Sequence, residues 1–305
     1  MMEEQRQQEG LAEEGRRDEA RGEEEPQEEP SPPFAPLSTF HPFDESRMEL
    51  TPEERQWALE IKQAIKDTPD LDPLSDFRIA QLAVIERGDT EAALDRALHL
   101  QGFRQEYDIL DAPADGRKFL QRLIKLFPRM FLSLSFNPDD GDYHLVYDIT
   151  QFSVRSMNTT RDYTSWHAGV YYLCHCMTVD FQVMRRGVQV LTECEGYDWT
   201  RNVDARTFQR DWLELAMYYP LKFQKIRNHR AGVLFNMFVA LLKPIVPKRL
   251  SDTFGGNVTQ LDARLDTYYL VPTVEIANQR LLSRLEQILK RRYYLEKSFS
   301  LSPSS

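Results

Sequence analysis

From residue 143 onward the chain alternates short β-type runs with helical stripes, and this alternation constrains the fold more than any other feature. Tyr143–Ile149, Val188–Cys194, Lys222–Asn228 and a short run near Asp252–Gly255 are the predicted strands. Between them, residues 162–184 carry a helical stripe of Trp166, Val170, Leu173, Met177 and Phe181. Residues 203–218 carry another, of Val203, Phe208, Trp212, Leu215 and Tyr219. Strands joined through helices require crossovers, so the expected class is α/β with a mainly parallel sheet. Upstream, Leu132, Leu134 and Phe136 alternate with serines, and Asn137-Pro138-Asp139-Asp140-Gly141-Asp142 is turn chemistry. That pattern predicts an antiparallel hairpin at the sheet edge.

A small helical subdomain is expected before the sheet. Thr51, Pro52 and Glu54 form a capping-box signature ahead of Trp57, Ile61 and Ile65. Further helices are predicted over Ser75–Arg87, stopped by Gly88, over Thr90–Tyr107, and over Asp115–Phe127. The last helix, Thr273 to Tyr294, ends in Lys290, Arg291 and Arg292. Those cations complement the helix dipole or form a membrane-facing patch. The expected organisation is therefore an acidic tail and Pro-rich linker (1–48), helical layer (49–112), α/β domain (113–272) and carboxyl-terminal helix and tail (273–305).

Charge divides the chain unevenly. Residues 1–30 hold 12 acidic and 4 basic side chains, a net of −8, whereas the whole chain carries −10. The near-neutral remainder has no basic stripe with interleaved aromatics, which argues against a nucleic-acid partner. The tail reads as solvated chain or as a docking segment for another protein. Cys174, Cys176 and Cys194 are too few for a disulfide framework and suit reduced, buried thiols in a cytoplasmic protein. No apolar leader is expected in the Glu-rich start, and no apolar run approaches the ~18 residues of a membrane span. Membrane contact is expected to be peripheral and transient.

One segment is unusually greasy. Leu234, Phe235, Phe238, Val239 and Leu242 fall on one broad helical face, and Lys243-Pro244 stops the helix. Lys222 and Lys225 precede it; Pro247, Lys248 and Arg249 follow. The pieces Tyr219-Pro220-Leu221-Lys222, Lys243-Pro244-Ile245, Gly256-Asn257 and Leu270-Val271-Pro272 occur in order. In that order and spacing, over residues 70 to 272, the chain resembles the CRAL-TRIO lipid-binding family, and within it the tocopherol- and retinaldehyde-carrying subgroup. The resemblance implies a mobile gate helix over an apolar pocket. The pocket walls would be Val190, Thr192 and Cys194 from one strand, and Phe235, Phe238, Val239 and Leu242 from the gate. It also implies phosphoinositide or membrane contact through Lys222, Lys225, Lys248 and Arg249. The chain departs from the family at Ile79–Arg87, where an arginine-rich run is expected, and at Gln224 and Thr253, where bases are expected. It departs again at Arg227-Asn228-His229-Arg230, where the strand should be apolar: either the strand ends early or polar groups line that end of the pocket.

No nucleophile elbow, phosphate loop, dinucleotide fingerprint or His-Glu-x-x-His occurs. Cys174-His175-Cys176 points its side chains about 100° apart on a helix, which does not close on a metal. The expectation is a non-enzymatic, cofactor-free carrier of a small hydrophobic lipid between membranes. The alternative is an interaction scaffold of the same fold with a filled pocket.

Overall fold

The structure is a computed structural model. It describes residues 45–137, 142–204, 207, 209–210, 215–246, 248–258 and 274–301. Those residues belong to one compact unit, Phe40–Ser305. The chain opens its fold with α1 (Pro52–Lys66), α2 (Asp76–Glu86), α3 (Thr90–Glu106) and α4 (Pro113–Leu126). The capping box forms as its residues dictate: Glu54 N–H donates to Thr51 Oγ1 at 3.1 Å, and Thr51 N–H to Glu54 Oε2 at 2.9 Å. Arg87 and Gly88 both take the left-handed conformation that ends α2. Ala58, Ile61, Phe77, Ala80, Leu82 and Ala93 build one core here, shared with Phe181, Met184 and Leu301.

The sheet has the order β1-β2-β3-β4-β5, with β1 (Phe131–Asn137), β2 (Asp142–Asp148), β3 (Val188–Glu193), β4 (Phe223–His229) and β5 (Phe254–Val258). β1 pairs antiparallel to β2; β2 to β5 run parallel. The alternation of residue types thus produces an α/β protein. The turn predicted at 137–142 lies mostly outside the described residues. So do much of the stripe at 203–218, of which Ala216–Tyr218 is a single helical turn, and the Val271-Pro272 step.

One predicted helix is two. The stripe at 162–184 resolves into α5 (Thr160–Met177) and α6 (Phe181–Arg186). Thr178 Oγ1 bonds back to the Cys174 carbonyl, and Asp180 caps α6 by accepting from Val183 N–H at 2.8 Å. A polar pair that satisfies the backbone locally outweighs an unbroken apolar period. Gly187 then turns the chain into β3 at φ 95°; a Cβ there would sit 2.9 Å from Gln224 N and Lys222 O, so only glycine fits.

After β4 comes α7 (Val233–Leu242), then the turn Lys248–Ser251, and after β5 the long α8 (Val274–Ser298). Sequential parallel strands joined by crossovers of one hand place those crossovers on one face of the sheet. Val188 and Val190 meet α5 on that face within the main core, and Cys194 meets Phe235 of α7 on the same face.

Candidate functional site

A cavity of about 90 Å³ lies between the sheet and α7. Phe235, Phe238, Val239 and Leu242 form its roof; Tyr147, Thr192, Ile226 and Asn228 form its floor on β2, β3 and β4. Met130, Phe152 and Trp166 close it on the side of the main core. Five of the seven residues expected to line a pocket therefore meet there. Val190 does not: it lies in the main core beside α5. Cys194 adjoins the cavity instead of lining it, in a cluster with Tyr197 and Phe235. Leu234, expected on the inward stripe, is 56% exposed.

The roof helix is apolar on both sides. Val233, Leu234, Met237 and Leu241 are exposed, as is Ile245 beyond the stop. Phe235 alone is fully buried in this helix, worth roughly 1.5–3 kcal/mol of transfer free energy. Tyr197 meets it edge-on at 4.9 Å between ring centroids. Trp199 meets Phe238 edge-on at 5.2 Å and donates Nε1–H to the Leu234 carbonyl at 3.1 Å. That indole takes up one backbone acceptor of α7 from outside the helix.

The polar run at the end of β4 follows a clear scheme. Glu193, buried at the end of β3, receives His229 Nδ1 at 2.7 Å and Arg230 Nη2 at 2.8 Å on Oε2. Its Oε1 accepts the Cys194 and Glu195 backbone N–H groups, each at 2.9 Å. Burial raises the Glu193 pKa, but Arg230 and His229 outweigh it, and the carboxyl sits below its ordinary value. Arg230 adopts a left-handed φ of 49° immediately before the roof helix. So β4 does not end early; its polar residues tie the chain just before α7, while Asn228 faces the cavity. No sequence signal pairs Glu193 with His229, because the pairing follows from strand register.

Of the four expected cations, Lys222, Lys225 and Lys248 do not line the cavity. Ile226 and Asn228 face it, so Lys225 points to the opposite face by alternation. Lys222 Nζ donates to the Arg185 carbonyl at 3.2 Å. Because β4 and β5 are parallel, Lys222, Lys225 and the turn holding Lys248 and Arg249 belong to the same, amino-terminal edge of the sheet. Lys225 and Lys248 are exposed there; the Arg249 side chain lies outside the described residues.

All three cysteines are free and buried, and burial pushes the Cys176 and Cys194 thiols up, away from thiolate chemistry. Among the described residues no group of His, Cys, Asp or Glu could hold a metal ion, and no helix is long and apolar enough to cross a membrane. No protein-family model matches the chain, and no curated protein matches it.

Proposed function

We propose that the protein binds a small hydrophobic ligand beneath α7 and exchanges it at a membrane surface, without covalent chemistry, in a fold of CRAL-TRIO type. The observation that carries this reading is the two-sided roof helix. Its inner face covers an apolar cavity, while its outer face offers bare Val233, Leu234, Met237 and Leu241 to a hydrocarbon phase. Pro244 and the hinge at Arg230 mark the two ends about which such a helix moves. At about 90 Å³ the cavity is smaller than the engineered cavities of about 150 Å³ that accept benzene. Ligand uptake therefore requires α7 to lift. Lys248, exposed in the turn that follows α7, supplies charge for an anionic bilayer, including one containing phosphoinositides.

The test is lipid retention. Protein incubated with vesicles and re-isolated should carry stoichiometric lipid by native mass spectrometry, and the double variant Phe235→Asp/Phe238→Asp should carry none while remaining folded. Normal carriage by that variant defeats the gate. The small volume favours a second reading, a scaffold of the same fold that acts through a protein partner; protein that emerges lipid-free under every loading condition supports it.

A further inference from the structure

A second cavity, of about 30 Å³, lies where the helical layer meets the α/β domain, and among the described residues it shares no wall with the one beneath α7. Arg78 and Gln81 of α2, Arg104 of α3, Tyr171 of α5 and Arg292 of α8 line it. Three guanidiniums around so small a space repel one another unless carboxylates answer them. Two carboxylates do. Asp111 Oδ2 meets Arg78 Nη2 at 2.9 Å and Arg104 Nε at 2.6 Å. Glu296 Oε1 meets Arg78 Nε at 3.4 Å and Arg292 Nε at 3.1 Å. Three cations against two carboxylates leave the cluster one positive charge in excess.

The neighbouring charges do not cancel that excess. Arg96, which donates to the Tyr219 carbonyl at 2.8 Å, is neutralised by Glu86, 2.6 Å from its Nε. Asp115, bonded by the Tyr172 hydroxyl at 2.6 Å, has Lys118 at 3.9 Å. Asp70 and Asp72 are exposed. His175, beside Glu296, is held neutral near pH 7 by desolvation first and then by the same three arginines. The uncharged groups are engaged as well. The Tyr171 hydroxyl donates to Asp111 Oδ1 at 3.0 Å, and the Tyr219 hydroxyl is bonded to His175 Nδ1 at 2.6 Å. Gln81 donates to the Thr178 carbonyl at 3.0 Å and accepts from Arg292 Nη2 at 2.8 Å. Gln101 donates to the Asp70 carbonyl at 2.9 Å and accepts from Asp72 N–H at 2.6 Å. The donors are not exhausted. Among the described residues the one ionic partner of Arg104 is Asp111, although a guanidinium offers five N–H groups.

From this geometry we infer that the cavity is a site for one small monovalent anion, a halide or an ion no larger than formate, held by Arg78 and Arg104. Its single charge brings the cluster to neutrality, and guanidinium N–H groups are the donors an anion needs. Volume selects within the class. At about 30 Å³ the space exceeds the ~10–15 Å³ that one water needs and falls far short of a ring-bearing phosphate ester. A dianion would also leave the cluster with one negative charge in excess. The elements that carry Arg78, Arg104 and Arg292 come together only in the folded chain, so the ion binds the native state and stabilises it by mass action. The site clamps the helical layer to the α/β domain and is independent of the lipid-binding reading.

The test unfolds full-length protein in urea at pH 8 and constant ionic strength, with sodium chloride or sodium formate replacing sodium gluconate, whose anion is too large for the cavity. About 200 mM chloride in place of gluconate should raise the folding equilibrium constant about tenfold, the factor for a Kd of about 20 mM. Arg104→Gln, which leaves two cations facing two carboxylates, should lose that rise. A rise with chloride alone supports a halide site; an equal rise with formate supports a site that also takes a small carboxylate. Crystals grown in sodium bromide should show an anomalous bromide peak within hydrogen-bonding reach of Arg78 and Arg104, a readout that does not require the variant to fold. No rise over gluconate overturns the site, as does a rise that persists undiminished in Arg104→Gln, or the absence of the bromide peak. A bromide peak without any rise marks an adventitious ion only and overturns it as well.

Discussion

At the scale of single residues, His175 shows how burial turns a titratable group into a pH-dependent liability. Its ring is buried on α5, with Nδ1 2.6 Å from the Tyr219 hydroxyl and Nε2 3.5 Å from Glu296 Oε1. Desolvation first, then the Arg292, Arg78 and Arg104 guanidiniums, holds its pKa well below the ordinary 6.5. Between that depressed value and 6.5 the unfolded chain binds a proton at this residue that the folded chain refuses. Stability from this group is therefore complete above pH 6.5 and falls as pH drops, by about 1.4 kcal/mol per pH unit. Urea unfolding at pH 7.5, 6.5 and 5.5 should show His175→Gln losing that part of the slope. Parallel curves for the two proteins would contradict the assignment. The histidine is plain in the sequence, but only the three guanidiniums converging from α2, α3 and α8 tell which way its pKa moves.

At the scale of elements, α7 is held at its amino-terminal end by side chains from elsewhere. Glu193 fastens His229 and Arg230 in front of it, and Trp199 bonds its first turn. Charge-assisted bonds to a buried carboxylate are among the stronger local contacts. Glu193→Gln removes the charge with little change of shape. Hydrogen exchange across residues 233–242 should then quicken about tenfold or more, as local opening of the helix becomes easier, while β2 and β3 stay protected. Unchanged exchange in α7 would mean that the clamp does not restrain it. The apolar run and the proline stop made this helix legible beforehand. Which side faces inward was not, since a sequence apolar all round has no single stripe to read; Leu234 faces out for that reason.

Across the whole molecule, a buried polar network joins the helical layer to the α/β domain. Arg292 on α8 donates to the His175 carbonyl at 3.2 Å, the Thr178 hydroxyl at 2.6 Å and Gln81 Oε1 of α2 at 2.8 Å, and also to the Thr178 carbonyl. Glu296 lies 3.1 Å from its Nε and 3.4 Å from Arg78 Nε. Arg78 and Arg104 both reach Asp111, at 2.9 and 2.6 Å. Arg292 is 1% exposed, so these contacts are made without competing water. Arg292→Met leaves its acceptors buried and unanswered, which should lower unfolding stability by about 3–5 kcal/mol. Denaturant titration followed by tryptophan fluorescence and by circular dichroism should show that loss in one shared transition. A change below 1 kcal/mol would mean that α8 docks through its apolar residues alone. Read from the sequence, the cations at 290–292 suited a helix dipole or a membrane; Arg292 serves neither, because its turn of α8 faces inward.

Local periodicity and stop chemistry settled the elements. The alternation after residue 143, the Thr51 capping box, the Gly187 turn and the Pro244 stop act over a few residues, and backbone hydrogen bonding leaves them little freedom. Register, side-chain facing and charge pairing are different, because they bring together residues as far apart in sequence as Glu193 and His229, or Gln81 and Arg292. The Glu193–His229 clasp, the cavity floor of Thr192 and Asn228 and the Arg292 network exist only once the strands have slid into one alignment and the helices have packed. In a parallel sheet a shift of one residue would send Glu193, His229, Thr192 and Asn228 each to the opposite face.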